Sequence, residues 1–253
     1  MARYQIILAY DGTAFLGSQR QGSSRTAQSE LEKALRKLGW SGKTVYLAGR
    51  TDTGTHASGQ VAAFDLDWSH GLNKLQDALN AYLPRDMAVR EVQAAPDDFH
   101  PRFDARSRCY HYRLFCAGVR DPLRERYAWR VWPAVIDLAA LAEIWPGRHD
   151  FGAFGSSPHP GGSTFRTVIS AIWQQHADEW IFEIRADAFL YRMVRRLVFV
   201  QVAVGQARIS AGMLLDALDA PTGPGQVARS QIPPGLAPAN GLTLVDVSYE
   251  DLV

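Results

Sequence analysis

The sequence has no long apolar run and only two cysteines. No stretch approaches the roughly 18 consecutive apolar residues of a membrane-spanning helix. The opening MARYQIILAYDG lacks the extended apolar region and small-residue cleavage site of a secretory signal. Cys109 and Cys116 form no Cys-x-x-Cys motif and lie too far apart along one predicted strand for a disulfide. These absences predict a cytoplasmic protein with reduced thiols and no membrane contact.

Histidines are few and scattered. None of the seven forms a His-Glu-x-x-His motif or another pattern with metal-ligand spacing. The sequence therefore predicts no metal and no organic cofactor. A metal site assembled from residues far apart in the sequence is the alternative, because no spacing motif would indicate it.

Lysine is scarce, and arginine carries most of the positive charge. Four Lys and 23 Arg nearly balance 26 acidic residues, which leaves a net charge of +1. Between residues 102 and 130, however, eight Arg face three acidic residues, a local net charge of +5. Aromatic residues are interleaved with these arginines; Arg binds phosphate, and aromatic faces stack on unpaired bases. The segment predicts a localised nucleic-acid surface, with codon or thermophile bias as the alternative explanation.

The first part of the chain predicts the element order β-α-β-β-α-β. A strand is predicted at Tyr4–Tyr10, and Thr26 is expected to cap a helix that ends at Gly39. Strands are then predicted at 44–48 and 60–68, followed by a helix that carries Leu72 to Leu83 and is stopped by Pro84, and by a strand at 88–94. This order is the ferredoxin-like split pattern.

The rest of the chain repeats a similar order with additions. Strands are predicted at 108–115, 127–131, 167–174, 180–186 and 242–249, and helices near 138–144, 189–204 and 213–218. The Pro/Gly-rich segments 155–162 and 221–241 are expected to be loops. We predict an α+β protein with two ferredoxin-like-derived halves, antiparallel sheets side by side, helices on one face and an active-site cleft between the halves. The predicted domains are residues 1–98 and 99–253.

The segment AGRTDTGTHASGQVAAFD, residues 48–65, predicts a polar loop between two strands. Gly49 and Gly54 relax the backbone on either side of Asp52. Turns use the same residue types, so a purely structural loop is the alternative. Polar groups on a loop held by rigid strands are a common way to build a site. Arg50, two residues from Asp52, would favour the ionised carboxylate.

The predicted helix after Asp187 has an apolar side and a basic side. At about 100° per residue, Arg192, Arg195 and Arg196 lie opposite the apolar residues. A solvated basic face and a face that reaches a carboxylate or phosphate both fit this pattern.

Several stretches together resemble the TruA-type tRNA pseudouridine synthases. GRTDTGTHASGQV is similar to that family's Gly-Arg-Thr-Asp-x-Gly-Val-His-Ala signature. The stretches YDGTAFLGSQRQ, LPRDMAVREVQAAPDDFHPRFDARSRCYHYRL, DAFLYRMVRRLV and PANGLTLVDVSY match further family segments in the family's order. The resemblance therefore runs through the whole chain.

The resemblance implies that uridine in tRNA is isomerised to pseudouridine at positions 38, 39 and 40 of the anticodon stem and loop. It also implies a homodimer that needs no cofactor. It assigns Asp52 as nucleophile or base, Tyr110 to base stacking and the C5 proton, and Arg195 to pairing with Asp52. The residues expected to bind RNA are Arg20, Gln21, Arg50, His56, Arg102, Arg108 and Arg192.

Four positions depart from the family pattern. Ser18 replaces a usual Trp, Thr55 a usual Val, and Asp187 and Arg196 each a usual Asn. Two other functional classes are compatible with the residues alone. A glycoside hydrolase usually needs two carboxylates, whereas the core motif has only Asp52. A non-catalytic RNA-binding module would leave the Asp52 loop unused.

Overall fold

A computed structural model describes residues 1–219 and 232–250 of the chain. The described residues form two compact units. The first unit comprises Met1–Arg106 and the described residues from Thr243 onward. The second unit comprises the described residues of Ser107–Leu242. The predicted halves 1–98 and 99–253 follow chain order, whereas the last strand returns to the first unit. Apolar patterning does not reveal such a return.

The first unit has the predicted order β-α-β-β-α-β. Its elements are β1 (Ala2–Tyr10), α1 (Ala27–Lys37), β2 (Tyr46–Leu47), β3 (His56–Leu66), α2 (Leu72–Tyr82) and β4 (Met87–Ala94). In its sheet, β1 is antiparallel to both β3 and β4, and β2 is antiparallel to β3. The final strand of the chain, Leu242–Ser248, runs parallel to β3.

Local sequence signals fix the ends of the two helices in this unit. The Thr26 side chain accepts a bond from Ser29 N–H, and the Ser29 hydroxyl accepts one from Thr26 N–H, which completes a capping box. The helix α1 ends before Gly39, whose φ of +86° favours glycine. The helix α2 ends just before Pro84, which cannot continue it.

The second unit contains a row of four strands in which each is antiparallel to its neighbours. Its elements are β5 (Ser107–Cys116), β6 (Trp129–Val131), α3 (Leu138–Ala142), β7 (Gly147–Asp150), β8 (Phe165–His176), β9 (Glu179–Ala186), α4 (Met193–Gly205) and α5 (Gly212–Asp219). The strand order is β5-β9-β8-β7, and β6 runs parallel to β5. By chain order, the final strand Leu242–Ser248 is β10.

Two features of the second unit differ from the sequence prediction. The four-residue strand β7 was not predicted because only Asp150 of GRHD is buried, so the apolar alternation of a half-buried strand is missing. The predicted helix at 189–204 starts only at Met193, because Arg192 has a left-handed φ of 64°. The predicted basic side of that helix therefore loses Arg192.

The core of the second unit lies between α4 and the sheet. Tyr112, Leu114 and Phe182 on the strands and Leu197 and Val198 on α4 are all fully buried. The predicted α+β class is confirmed. Of the predicted loop 221–241, residues 221–231 lie outside the described residues. No helix in the described ranges combines the length and apolar character needed to span a membrane.

Candidate active site

Asp52 lies in the loop between β2 and β3. The loop turns where Thr55 N–H donates to the Asp52 carbonyl at 3.0 Å, and Gly54 takes a φ of +80°. The Asp52 side chain is half-buried, and that of Arg50 is exposed. The loop therefore presents a carboxylate and a guanidinium two residues apart without burying either completely.

Ser18 binds the residue before Asp52. Its Oγ accepts from Thr51 N–H at 2.8 Å, and its own N–H donates to the Thr51 carbonyl at 3.1 Å. Ser18 is completely buried and Thr51 is 7% exposed. This reciprocal pair of buried hydrogen bonds fixes the peptide that leads into Asp52, because water does not compete for either bond.

Two further side chains hold the same loop from the strands. The Tyr10 hydroxyl hydrogen-bonds the Thr51 hydroxyl at 2.8 Å. The Gln60 amide binds both backbone groups of Gly49, accepting from its N–H at 3.1 Å and donating to its carbonyl at 2.8 Å. Burial raises the pKa of Tyr10, although its bonds to Thr51, Gln60 and Ser18 oppose that rise. Tyr10 therefore stays neutral and serves as a hydrogen-bonding anchor.

The loop after β1 packs so closely on the Asp52 loop that two positions there require glycine. A methyl group on Gly12 would lie 2.0 Å from the Thr55 carbonyl oxygen. Gly17 has a φ of +83°, and a methyl group there would lie 2.9 Å from the Thr51 carbonyl oxygen. The Asp52 loop is thus supported by backbone contact as well as by side chains.

His56 lies at the base of the Asp52 loop, where it is 5% exposed. Its Nδ1 accepts from Gly12 N–H at 3.0 Å and lies 3.2 Å from an Asp11 carboxylate oxygen. In this structure the imidazole connects β3 to the loop after β1. Its expected contact with RNA stays a prediction.

Tyr110 lies on β5 in the second unit, with its ring against Phe189. The two ring centroids are 5.0 Å apart and the rings are nearly perpendicular, an edge-to-face contact. Tyr110 is 8% exposed. Two residues earlier on the strand, the Arg108 guanidinium donates to the Asp187 carbonyl at 2.9 Å. Arg108 and the contact to Phe189 thus join the start of β5 to the segment before α4.

Arg195 and Arg196, near the start of α4, bind the carbonyl groups of a later segment instead of forming a solvated face. Arg195 Nε donates to the Ala237 carbonyl at 2.8 Å. Arg196 donates to the carbonyls of Gly235 and Ile232 at 2.8 and 3.2 Å, and burial lowers its pKa. The interpretation of a solvated basic face was wrong for these two residues, because both side chains are half-buried and donate to backbone carbonyls.

Tyr112 binds the same segment from β5. Its fully buried hydroxyl donates to the Pro238 carbonyl at 2.8 Å. Burial raises the pKa of Tyr112 well above its ordinary value, and the nearby Arg195 guanidinium partly offsets that rise. Arg195 and Tyr112 therefore bind consecutive carbonyls of one segment, and the bond to Ala237 orients the Arg195 guanidinium.

The other residues predicted to bind RNA lie in different surroundings. Arg20 donates to the buried Glu32 at 2.8 Å, whereas Gln21, Arg102 and Arg192 have exposed side chains. Arg20, Gln21, Arg50, Asp52, His56 and Arg102 belong to the first unit, and Arg108, Tyr110, Arg192 and Arg195 to the second. Arg50, Asp52 and His56 lie together at the Asp52 loop.

The arginine-rich segment 102–130 carries less unbalanced charge than its sequence indicates. Several of its arginines have acidic partners: Arg113 binds Glu179, Arg124 binds Asp178, and Arg120 and Arg130 bind Glu125. Asp178 and Glu179 lie outside the segment, so a count within it omits them. The segment is therefore partly a set of ion pairs, of which Arg113–Glu179 joins β5 to β9.

The four departures from the family pattern each make or lack specific hydrogen bonds, and those of Arg196 to the carbonyls of Gly235 and Ile232 are given above. Ser18 binds Thr51, as described above. The Asp187 carboxylate accepts from the N–H groups of Thr167 and Ala188 at 3.1 and 2.6 Å. Thr55 Oγ1 is buried without a hydrogen-bond partner among the residues that the structure describes. A valine at this position would remove an unsatisfied hydroxyl.

Sequence reasoning missed Ser18, Tyr10 and Gln60 as supports of the Asp52 loop. Gln60 follows Asp52 closely in the sequence, but Tyr10 and Ser18 precede it by more than thirty residues. The only sequence signal was the Gly-rich stretch DGTAFLGS, in which Gly12 and Gly17 indicate a close approach of another chain segment.

Comparison with known proteins gives consistent matches. A model of the family described as tRNA pseudouridine synthase matches residues 6–104 and 141–250. A protein of Listeria welshimeri named tRNA pseudouridine synthase A is 37% identical to this chain over 99% of the chain and 100% of the relative. Proteins of the same name from Chloroflexus aurantiacus and Latilactobacillus sakei are 37% and 38% identical, over 98% of the chain and 89% and 99% of the relative.

Proposed function

Because this chain belongs to the tRNA pseudouridine synthase family, a family of isomerases, we propose that it converts uridine to pseudouridine at positions 38, 39 and 40 of the tRNA anticodon stem-loop. Asp52 is the essential carboxylate in this proposal. The proposal includes a homodimer that acts in the cytoplasm without a cofactor.

The proposal rests on the observation that hydrogen bonds fix the backbone of the Asp52 loop. Ser18, Tyr10 and Gln60 bind the backbone or hydroxyl of its neighbours, while the Asp52 carboxyl group itself is half-buried. A loop with only a structural role would gain nothing from fixing an acidic side chain at a partly open position. A reactive group, in contrast, must be held within a fraction of an ångström of its productive position.

The reaction requires few chemical groups. The N1–C1′ bond of uridine breaks, a C5–C1′ bond forms, the C5 proton leaves and N1 gains a proton, so the product is an isomer and no redox partner is consumed. Asp52 supplies the carboxylate that acts as nucleophile or base at the sugar or ring. Tyr110 supplies an aromatic face for the base and a hydroxyl for the C5 proton.

Arg195 is assigned by the family resemblance to pair with Asp52. A guanidinium has five N–H donors, so Arg195 can keep its bond to the Ala237 carbonyl and bind a carboxylate as well. In this proposal, the bond to Ala237 orients the guanidinium before the substrate arrives. A lysine at this position would lack that fork of donors.

Substrate binding depends on phosphate contacts and on extrusion of the target base. A stacked uridine must be flipped out of the stem at a cost of a few kcal/mol. Phosphate contacts by exposed basic residues would offset that cost. We assign this role to Arg50 in the Asp52 loop and to the exposed side chains of Arg102 and Arg192.

The test uses an unmodified tRNA transcript with uridines at positions 38, 39 and 40, tritiated at C5. Release of tritium reports loss of the C5 proton, and mapping of pseudouridine reports its position. The matched controls are transcripts in which each of the three uridines is replaced singly by cytidine.

The expected result is pseudouridine at each of the three positions and its loss at the position replaced. Tight binding without tritium release would make the chain a binding protein and contradict the proposal. Pseudouridine formed only at other positions would keep the family's reaction and refute the assignment to the anticodon stem-loop.

A further inference from the structure

Two neighbouring strands of the second unit bring three metal-ligating side chains together outside the candidate active site. Cys109 and His111 alternate along β5 and therefore lie on one face of the sheet. Glu183 on β9 is the direct cross-strand partner of His111. One ligand atom from each of these side chains lies within 4.8 Å of the other two, and His111 Nε2 is 2.9 Å from a Glu183 carboxylate oxygen.

We propose that Cys109, His111 and Glu183 bind one zinc ion. A thiolate, an imidazole and a carboxylate are the three ligand types that Zn²⁺ takes in proteins, with bonds of about 2.0–2.3 Å. Tetrahedral bonds of that length place ligand atoms about 3.3–3.8 Å apart. The His111 and Glu183 ligand atoms, 2.9 Å apart, have to separate slightly to reach that spacing, and the largest separation in the set is at most 4.8 Å, so small rotations of side chains on paired strands suffice.

The exposure of the three groups suits an entry path from solvent. Cys109 is 2% exposed, whereas the side chains of His111 and Glu183 are 36% and 43% exposed. A cation can therefore reach the imidazole and carboxylate first and then the covered sulfur. With three protein ligands, a water molecule would complete the tetrahedron.

The charges around the three groups are compatible with a divalent cation. Arg185 is the cross-strand partner of Cys109 and donates to the Ser107 hydroxyl at 3.0 Å. Its guanidinium is therefore held by Ser107, the neighbour of Cys109 on the same face of β5. Arg113, on the same face of β5, is neutralised by Glu179, so a zinc-bound thiolate and the Glu183 carboxylate together outweigh the charge of Arg185.

The site differs from the active site proposed above. Tyr110 lies between Cys109 and His111 in the sequence and therefore faces the opposite side of β5. Zinc at this position would cross-link β5 to β9 behind Tyr110 without touching the substrate. Spacing motifs could not predict the site, because its ligands come from two strands more than seventy residues apart in the sequence.

The full chain, stripped of metal with a chelator and dialysed, is loaded with Zn²⁺ and its affinity is measured by competition with a chromophoric chelator. Co²⁺ is added in parallel, because a thiolate-to-cobalt charge-transfer band identifies a sulfur ligand. The variants are Cys109→Ser, His111→Gln and Glu183→Gln. Cys116→Ser is the matched control, because Cys116 lies on the same strand but faces the other side.

The expected result is one zinc per chain, a cobalt–thiolate band, and affinity at least about tenfold weaker in each of the three variants. Cys116→Ser should bind like the parent. His111→Gln and Glu183→Gln change partly exposed side chains, so they remain informative if Cys109→Ser fails to fold. The proposal is overturned if the parent binds zinc no more tightly than His111→Gln and Glu183→Gln, or if the cobalt band is absent.

Discussion

The Ser18→Ala variant removes one hydroxyl group and leaves the rest of the Asp52 loop unchanged. The lost Oγ is the acceptor for Thr51 N–H at 2.8 Å, in a position where Ser18 has no solvent exposure. The missing oxygen leaves less space than the ~30 Å³ that a water molecule occupies. Water therefore cannot replace the bond, and the N–H group becomes buried without a partner.

The size of the effect follows from that unsatisfied donor. A buried N–H that loses its acceptor costs about 1–3 kcal/mol. The cost applies to the closed form of the loop, since an opened loop bonds to water. Local opening should therefore become roughly 5- to 150-fold more frequent. Because Thr51 precedes Asp52, we also expect kcat for pseudouridine formation to fall roughly 10- to 100-fold with little change in KM for tRNA.

Amide hydrogen exchange resolved at residues 48–55 measures the opening, and initial rates on tRNA measure kcat. Ser23→Ala is the matched control, because Ser23 lies on the following loop with an exposed side chain. It should exchange and turn over like the parent. Exchange within about twofold of the parent in Ser18→Ala, together with an unchanged kcat, would refute the view that Ser18 positions the loop.

Three further predictions concern single side chains. Tyr110→Phe should keep tRNA affinity and lose turnover by roughly 100-fold or more, with the exposed Tyr82→Phe as the control in initial-rate assays; an unchanged rate would leave the ring with a stacking role alone. Thr55→Val should raise the free energy of unfolding by about 1 kcal/mol, because it removes a buried hydroxyl without a partner among the described residues; a decrease in a urea titration would contradict this. The hydrogen bonds from Arg25 lower the pKa of Asp86 below its ordinary 3.8, so this pair stabilises the fold above that pH and ceases to do so as pH falls through the folded value. Asp86→Asn should therefore lower the free energy of unfolding by at most about 1 kcal/mol at neutral pH, and the difference should vanish in acid; a difference that persists there would point to a cause other than charge.

The sequence was sufficient for most elements and for the position of the Asp52 loop. Thr26 and Gly39 predicted both ends of α1, because capping and left-handed backbone are local properties. The predicted strand at 108–115 agrees with β5, in which Tyr110 and Tyr112 share a face and are both buried. Local signals of this kind depend on a few neighbouring residues and can be interpreted without knowledge of the fold.

The remaining features depend on contacts between distant segments. The bond from Ser18 to Thr51 and the carbonyl acceptors of Arg195 and Arg196 join residues separated by more than thirty positions. The left-handed backbone at Arg192, which delays the start of α4, has no glycine or asparagine to indicate it. No periodicity encodes such contacts, so the structure was required to find them.

The most direct test of the central proposal is the turnover of Asp52→Asn on unmodified tRNA, measured beside its tRNA affinity. Asparagine keeps the shape of the side chain but cannot act as a carboxylate nucleophile or base. The substitution leaves the hydrogen bonds from Ser18, Tyr10 and Gln60 to Thr51 and Gly49 unchanged, so the variant should fold and bind tRNA much like the parent. We expect pseudouridine formation to fall by several orders of magnitude with little change in Kd. Pseudouridine formed at positions 38–40 at nearly the parental rate would contradict the assignment of Asp52.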